Sequence, residues 1–392
     1  MQPRIVVVGA GIAGLCAAIA FARRGYKVDI FEASQTLDEV GAGLQLSPNV
    51  TRLIHDLEIG DQLSAVMVEP PRLSLLSGID LQTLCEIPAG GFARRRWDAA
   101  YGVIHRADLQ KLLADAVNAD ALCTLHLDRS IVAESEPQLL ALLTRAMGAE
   151  PDLVVGADGV WSAMRRMVPN APSATFSGSI AWRGLLNPGD LPALKNPDHV
   201  NAFLAPDTHL VTYPLGHRGV VNAVAITPGK VTGRNWDNEG NVEELRALFG
   251  GWNKAILNAL GNVSWRFWPL FEVRNTCYTA GRKTALIGDA AHAMTPHAAQ
   301  GAAMAIEDAC ALAACFDAAN GNTDDMMPMF DALRIPRIAR VRKRGDFNKF
   351  AYHAKGPARI ARNLILSMRT PETLASDLDW LYGYDATDLS QL

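Results

Sequence analysis

Three groups of residues in this chain have the types and spacings to do chemistry. Gly9, Gly11 and Gly14 form GxGxxG inside "RIVVVGAGIAGLCAAIAFARRGYKVDIFEAS", Arg4 to Ser34, and Glu32 follows 18 positions after Gly14. The first glycine of such a set permits a tight turn, the second lets the backbone reach a pyrophosphate, and the third lets helix and strand pack closely. Phosphates would sit at the helix N-terminus, where unpaired N–H groups and the dipole favour negative charge. An acid at position 32 can accept hydrogen bonds from ribose hydroxyls. The motif predicts dinucleotide binding and does not separate FAD from NAD. The second group is His209 and Tyr213 in "HLVTY", four apart and so on one face of an extended strand. A histidine, with an ordinary pKa of about 6.5, can accept a proton that a tyrosine positions or relays. The third is "IGDAAHAMTPHAAQGAAMAIEDA", Ile287 to Ala309, where Asp289, His292, Pro296 and His297 precede an alanine-rich run. Small residues there let a ligand approach the backbone closely.

These residues need elements to hold them. Ile5 to Val8 are a β-branched run suited to a buried parallel strand, and an alanine-rich helix follows, closed by Gly25. Lys27 to Phe31 form a second strand ending at Glu32. "GAGLQLSPN", Gly41 to Asn49, reads as a glycine-spaced loop leading into a helix. "YGVIHRADLQKLL", Tyr101 to Leu113, places His105 and Arg106 at the head of an amphipathic helix. "DLVVGADGVWSAMR", Asp152 to Arg165, is a buried strand ending in Asp158-Gly159. "RKTAL" begins another strand, ending at Gly288-Asp289. Between about 170 and 270, "SIAWRGLL", "HLVTYPLGH" and "GVVNAVAITP" are short β-type runs with Pro, Gly and Asn breaks, as in an antiparallel sheet. Thr227 to Asn241 read as a loop, and residues from Met326 onward as helical.

Composition narrows the partners. The chain has 392 residues, a formal net charge of −4 and 49% hydrophobic residues, which fits an ordinary globular protein of two or three lobes. No global charge attracts nucleic acid or an anionic membrane. The basic run Arg334 to Phe350 reads as a solvated helix face, since no base-stacking platform accompanies it. No segment reaches the ~18 uncharged apolar residues of a membrane span. Six cysteines are scattered without metal-ligand spacing, so no metal is expected and a reducing, cytoplasmic setting fits. No GxSxG hydrolase elbow is present.

With GxGxxG and Glu32, the DG stretch at Asp158-Gly159 and the GD stretch at Gly288-Asp289, in that order and spacing, the chain resembles the single-component flavin-dependent aromatic hydroxylases of the 4-hydroxybenzoate hydroxylase fold. The likeness runs from Arg4 to "DWLYGYDA", Asp379 to Ala386. "GAGLQLSPN", "IHRADL", "HLVTYPL" and "PHAAQGAAMAIEDA" bring it nearest the salicylate, 3-hydroxybenzoate and 6-hydroxynicotinate hydroxylase branch. The implied fold is α/β: a Rossmann-like FAD-binding domain, an inserted antiparallel β-sheet substrate domain and C-terminal helices. The division would be 1–70, 100–165 and 275–320 for FAD, 71–99 and 166–274 for substrate, and 321–392 for the helical region.

The resemblance implies residue roles. Gly9, Gly11, Gly14 and Glu32 would hold the ADP half of FAD. Arg106 would contact the cofactor near its phosphates and ribitol, and Asp158 would support the cofactor region and the approach of NAD(P)H. Asp289 would bond the ribitol, while Pro296 and the backbone at Gly301 and Ala302 would lie against the isoalloxazine. Ala298, Ala299 and Ala303 would complete a low-profile floor. The helix beginning near Gly301 would point its N–H groups at the flavin's N1–C2 edge. His209 and Tyr213 would meet the substrate, and His297 would relay a proton or donate a hydrogen bond to it. His292 would be structural, bonding a backbone group.

Gln45 stands where the 6-hydroxynicotinate hydroxylases have a histidine. It cannot act as a base, which leans toward a benzoate-like or other phenolic substrate. Arg183 would either meet a substrate carboxylate or lie on the surface. "SWRFWPL", Ser264 to Leu270, reads as ordinary packing despite a superficial likeness to the paired tryptophans of flavin-dependent halogenases. The implied activity is NAD(P)H-dependent hydroxylation of a small phenolic acid with O2, through a flavin C4a-hydroperoxide. The alternatives are a hydroxypyridine-type substrate, a flavin oxidase or reductase on the same fold, and a non-catalytic flavoprotein. A homodimer is a family expectation only.

Overall fold

Strand Arg4–Val8 carries four consecutive buried apolar side chains, and the nucleotide-binding half of the molecule is laid around it. The computed structural model describes residues 3–37, 43–190, 196–231, 233 and 237–392. Arg4–Val8 pairs in parallel with Lys27–Phe31 on one side and Leu153–Gly156 on the other, with Val8 opposite both Phe31 and Gly156. Cys123–His126 and Thr284–Leu286 extend this sheet in parallel, and Thr279–Ala280 closes one edge antiparallel. At the centre of the sheet Ile5–Val8 and Leu153–Val155 are continuous buried apolar runs rather than alternating ones, as a sheet covered on both faces requires.

Helix Ile12–Ala22 crosses between the first two strands and is buried nearly all round, because helix Gly301–Ala318 packs against its outer side. Alanines on both helices, Ala17, Ala18, Ala309 and Ala313 among them, are fully buried. Small side chains allow that close approach.

The second sheet has eight strands, in the order Asn238–Gly240, Trp265–Glu272, Thr175–Leu186, Val220–Pro228, Thr208–Leu215, Val200–Ala205, Arg72–Ser77 and Thr83–Pro88. It is antiparallel except where Val200–Ala205 runs parallel to Arg72–Ser77. Alternation along Thr208–Leu215 decides what faces where. Leu210 points into an apolar cluster with Trp182, Phe203, Phe249 and Ile256, while His209, Val211 and Tyr213 face a cavity toward the first sheet.

Three expectations need correction here. Residues Gly43–Leu46 are a strand, not loop, paired antiparallel with Gly102–His105; Gly41 lies outside the described residues. Within Thr227 to Asn241, Thr227 and Pro228 end one strand and Asn238–Gly240 form another, and positions 232 and 234–236 lie outside the described residues. The basic run on helix Thr323–Tyr352 is a solvated face only in part: Arg340 and Lys343 are exposed, but two arginines are not. Arg334 is 0% exposed and Arg337 5%, held by acids on helix Gly301–Ala318. Net charge and periodicity could not show this, because the partners lie about 30 residues upstream. Among the described residues no helix is long and apolar enough to cross a membrane.

Candidate active site

The glycine turn has the geometry its spacing predicts. Gly9 adopts φ 103°, and a Cβ there would lie 2.5 Å from the Ala157 carbonyl oxygen. A Cβ on Gly14 would lie 1.9 Å from the Gly9 carbonyl oxygen, so the helix could not seat on the turn. At Gly11 a Cβ would meet nothing within 4 Å, yet Gly11 lines the cavity. The first and third glycines serve the fold, and the second leaves room for a ligand. Glu32, at the end of the neighbouring strand, accepts from the Ala10 N–H at 2.7 Å and the Ser34 N–H at 2.8 Å. It braces the turn while a carboxylate's remaining lone pairs can still accept.

The DG and GD stretches are tied together by a residue that sequence reading passed over. Arg165, 5% exposed, donates to the carbonyls of Val160 at 2.7 Å, Ala290 at 3.0 Å and Asp289 at 3.4 Å. Burial lowers its pKa from the ordinary guanidinium value, and Asp158 and Asp289 partly offset that. Asp158 Oδ2 accepts from the N–H groups of Ala163 and Met164, capping the short turn that positions Arg165. Gly159, Val160 and Trp161 line the cavity beside Asp289, and Asp158 itself does not.

His292 bonds a carboxylate, not the expected backbone group. Its Nε2 lies 2.5 Å from Asp308 Oδ2, which also accepts from the Gly288 N–H at 2.8 Å. Asp308 and Glu307 belong to "AIEDA", and both are fully buried. Arg334 pairs with Asp308 at 2.8 Å and Glu307 at 2.9 Å, Arg337 meets Glu307 at 2.7 Å, and Asn49 donates to Glu307 at 2.6 Å. Burial pushes the Glu307 carboxyl up, but Arg337 and Arg334 outweigh it and hold the group ionised. This knot fixes helix Gly301–Ala318 behind the cavity.

The cavity, about 440 Å³, lies between the two sheets. Its first-sheet side is formed by Gly11, Ala13, Arg106, Asp289, Pro296, Ala299, Gly301, Ala302 and Ala305. Ala299 has φ 52° and turns the chain into the helix. The expected floor is therefore corrected at two positions: Ala298 packs toward Gly345, and Ala303 is buried behind the surface. Arg106 opens helix Arg106–Ala119, with the His105 ring accepting from the Ala107 N–H as its cap.

The opposite wall carries His209, Val211, Tyr213, Gln45, Arg183 and Trp268. Tyr213 packs on Gly43, where any Cβ would lie 2.3 Å from its ring; burial pushes its hydroxyl pKa up. The Tyr101 hydroxyl donates to Gln45 Oε1 at 2.6 Å. Arg183 is not a surface residue: it is 9% exposed, pairs with Asp237 at 2.9 Å and stacks 5.1 Å from the Trp268 ring centre. Trp268, read as ordinary packing, is thus part of the wall, whereas Trp265 does pack in the core.

His209 Nδ1 lies 2.8 Å from His353 Nε2. The His297 ring stands 5.4 Å from His209 and 5.8 Å from His353. His297 is 4% exposed, has neither ring nitrogen hydrogen-bonded among the described residues, and does not line the cavity. Burial, with its neighbours, lowers all three: His209 well below the ordinary range, His297 to about 3 and His353 to about 4. One ring nitrogen from each lies within 4.8 Å of the others, a spacing that metal ligands can adopt. Lys349 is the nearby charge that helps lower both His297 and His353, so the surroundings oppose a dication.

Two helix N-termini and a glycine turn open on one cavity, and the bare backbone at Gly11 and Gly301 leaves it space. These features fit an elongated dinucleotide with a flat ring. Residues 3–328 match the FAD binding domain family. The chain belongs to that family. It is 34% identical to a 3-amino-4-hydroxybenzoate 2-monooxygenase of Streptomyces cremeus, over 99% of this chain and 98% of that one. Identity is 30% both to 3-hydroxybenzoate 6-hydroxylase 1 of Aquipseudomonas alcaligenes, covering 99% of each chain, and to a 6-hydroxynicotinate 3-monooxygenase of Bordetella bronchiseptica, covering 98% and 96%. The solved structure of a salicylate hydroxylase substrate complex superposes with a TM-score of 0.81 at 23% identity, covering 100% of this chain and 97% of that one, which shows the shared fold. Membership of the flavoprotein hydroxylases thus extends over the whole chain.

Proposed function

We propose that this FAD-dependent monooxygenase uses NAD(P)H and O2 to hydroxylate a small phenolic aromatic acid in the cavity between its two sheets. The observation that carries the reading is a single cavity with a dinucleotide cradle on one side and His209, Tyr213, Gln45 and Arg183 on the other. Bound FAD would supply hydride uptake from NAD(P)H and the activation of oxygen. Gly9, Gly11, Gly14 and Glu32 hold its ADP half, Arg106 and Asp289 its phosphates and ribitol, and Pro296, Gly301 and Ala302 its ring. Asp158 acts one step back, through the Arg165 brace. Residues 1–70, 100–165 and 275–320 make the cofactor domain, 71–99 and 166–274 the substrate domain, and 321–392 the helical region.

The protein's own work is to hold the ring near the flavin, exclude water and take the phenolic proton, which makes the ring electron-rich. His209 accepts that proton at Nε2, because its Nδ1 is engaged with His353. Tyr213 orients the phenol, and Arg183 attracts the carboxylate. His297 stands behind His209 and tunes it without touching substrate. A hydroxypyridine acid is the second reading: with Oε1 taken by Tyr101, Gln45 presents its amide N–H groups, which suit a ring nitrogen. The six scattered cysteines support a reducing, cytoplasmic setting, and a homodimer rests on the family alone.

A panel of hydroxybenzoates, aminohydroxybenzoates and hydroxynicotinates tests the reading. At least one should stimulate NAD(P)H oxidation and gain a single hydroxyl by mass. Hydrogen peroxide as the sole product with every compound would refute it.

A further inference from the structure

A buried base that takes a proton must also release it, and His209, 3% exposed, lines a cavity whose water a bound aromatic ring would displace. Its Nδ1 meets His353 Nε2 at 2.8 Å. His353 caps the C-terminal end of helix Thr323–Tyr352 and is only partly buried. Beside it, at the surface, Lys355 pairs with Asp207 at 2.6 Å, both side chains more than half exposed. His297 offers no such exit: it is buried and has no hydrogen-bond partner among the described residues.

We propose that His353 conducts the substrate's phenolic proton from His209 to solvent, and so sets the rate at which the bound phenol becomes a phenolate. This rests on the reading above, in which His209 is the base.

The step balances without any redox change. The substrate O–H bond breaks as His209 Nε2 gains the proton. The Nδ1–H of His209 passes along the 2.8 Å contact to His353 Nε2, and His353 Nδ1–H is released to water. Each imidazole ends in its other tautomer, and rotation or a second exchange resets the pair. The groups facing the pathway favour passage over storage. His209 is packed by His297, Tyr352 and His353, and His353 feels Lys349 and Lys355 against the single carboxylate of Asp207. A cation on either ring is disfavoured by burial and like charge, so the proton moves on. Asp207, at the exit, is the acid that draws it outward.

The test mixes oxidised holoenzyme with the phenolic substrate, without NAD(P)H, while an indicator dye reads proton release and absorbance reads phenolate. In His353→Gln both signals should slow by about tenfold or more, with FAD content and melting temperature unchanged. In His353→Ala, added imidazole should restore the rate. Wild-type release in His353→Gln, with release abolished in His209→Gln, would overturn the exit while leaving the base in place. Unaltered release in His209→Gln would instead remove the base assignment and the exit with it. Slow release in His353→Ala that imidazole does not restore would show a structural role and also overturn the proposal.

Discussion

A histidine that accepts a phenolic proton has to be neutral when the substrate arrives, and burial of three imidazoles together secures this. The arrangement links to stability with a defined sign. His209, His297 and His353 are neutral in the folded chain down to values far below 6.5, with His353 at about 4 and His297 at about 3. The unfolded chain takes up these protons near pH 6.5, before the folded one does. Stability is therefore full above that pH and falls as the pH drops from about 6.5 toward about 3. The melting temperature should decline from pH 7 to pH 5, and His297→Gln should flatten that decline. A flat profile in the wild type would contradict the assigned burial. His209 and Tyr213 were legible in the sequence because a two-residue strand period puts them on one face. His353 was not, since its partner lies 144 residues away and only the turn of the long helix's end brings them together.

Elements position these groups, and two of them make separable predictions. Gly14→Ala would drive a Cβ to 1.9 Å from the Gly9 carbonyl, so the variant should lose both FAD and thermal stability. Gly11→Val meets open space and should fold normally yet fail to retain FAD. Equal flavin content in Gly11→Val and wild type, read by absorbance, would show that the pyrophosphate does not approach there. The second element is the helix pair locked by Glu307, Asp308, Arg334 and Arg337. Removing one partner leaves a buried charge unpaired, so Arg334→Ala should cost about 3–5 kcal/mol in urea unfolding. A loss under about 1 kcal/mol would match a surface pair instead. Strands Arg4–Val8 and Lys27–Phe31 and the glycine turn between them could be read from the sequence because their signals are local, whereas Gly43–Leu46 and Asn238–Gly240 read as loop. The ionic lock could not, because Glu307 and Asp308 stand well apart in sequence from a basic run that reads as a solvated face, and only the packing of the two helices brings them together.

At the scale of the whole molecule, two sheets close on one cavity, and each contributes what the other lacks. The parallel sheet ends in glycine turns and helix N-termini that suit phosphates and a flat ring. The larger sheet presents a histidine, a tyrosine and an arginine, and the short strand Gly43–Leu46 adds the Gln45 amide, a set that suits a small phenolic acid. Its general architecture was readable from three motifs in order. The floor of the cavity was readable only in part: Pro296, Gly301 and Ala302 line it, whereas Ala298 and Ala303 turn inward to pack. Oxygen insertion at that junction is the central claim, and isotope transfer tests it most directly. With 18O2, NAD(P)H and the best aromatic acid of the panel, the hydroxylated product should carry one 18O atom. Product labelled only from 18O-water, or substrate recovered unchanged while peroxide accumulates, would contradict it.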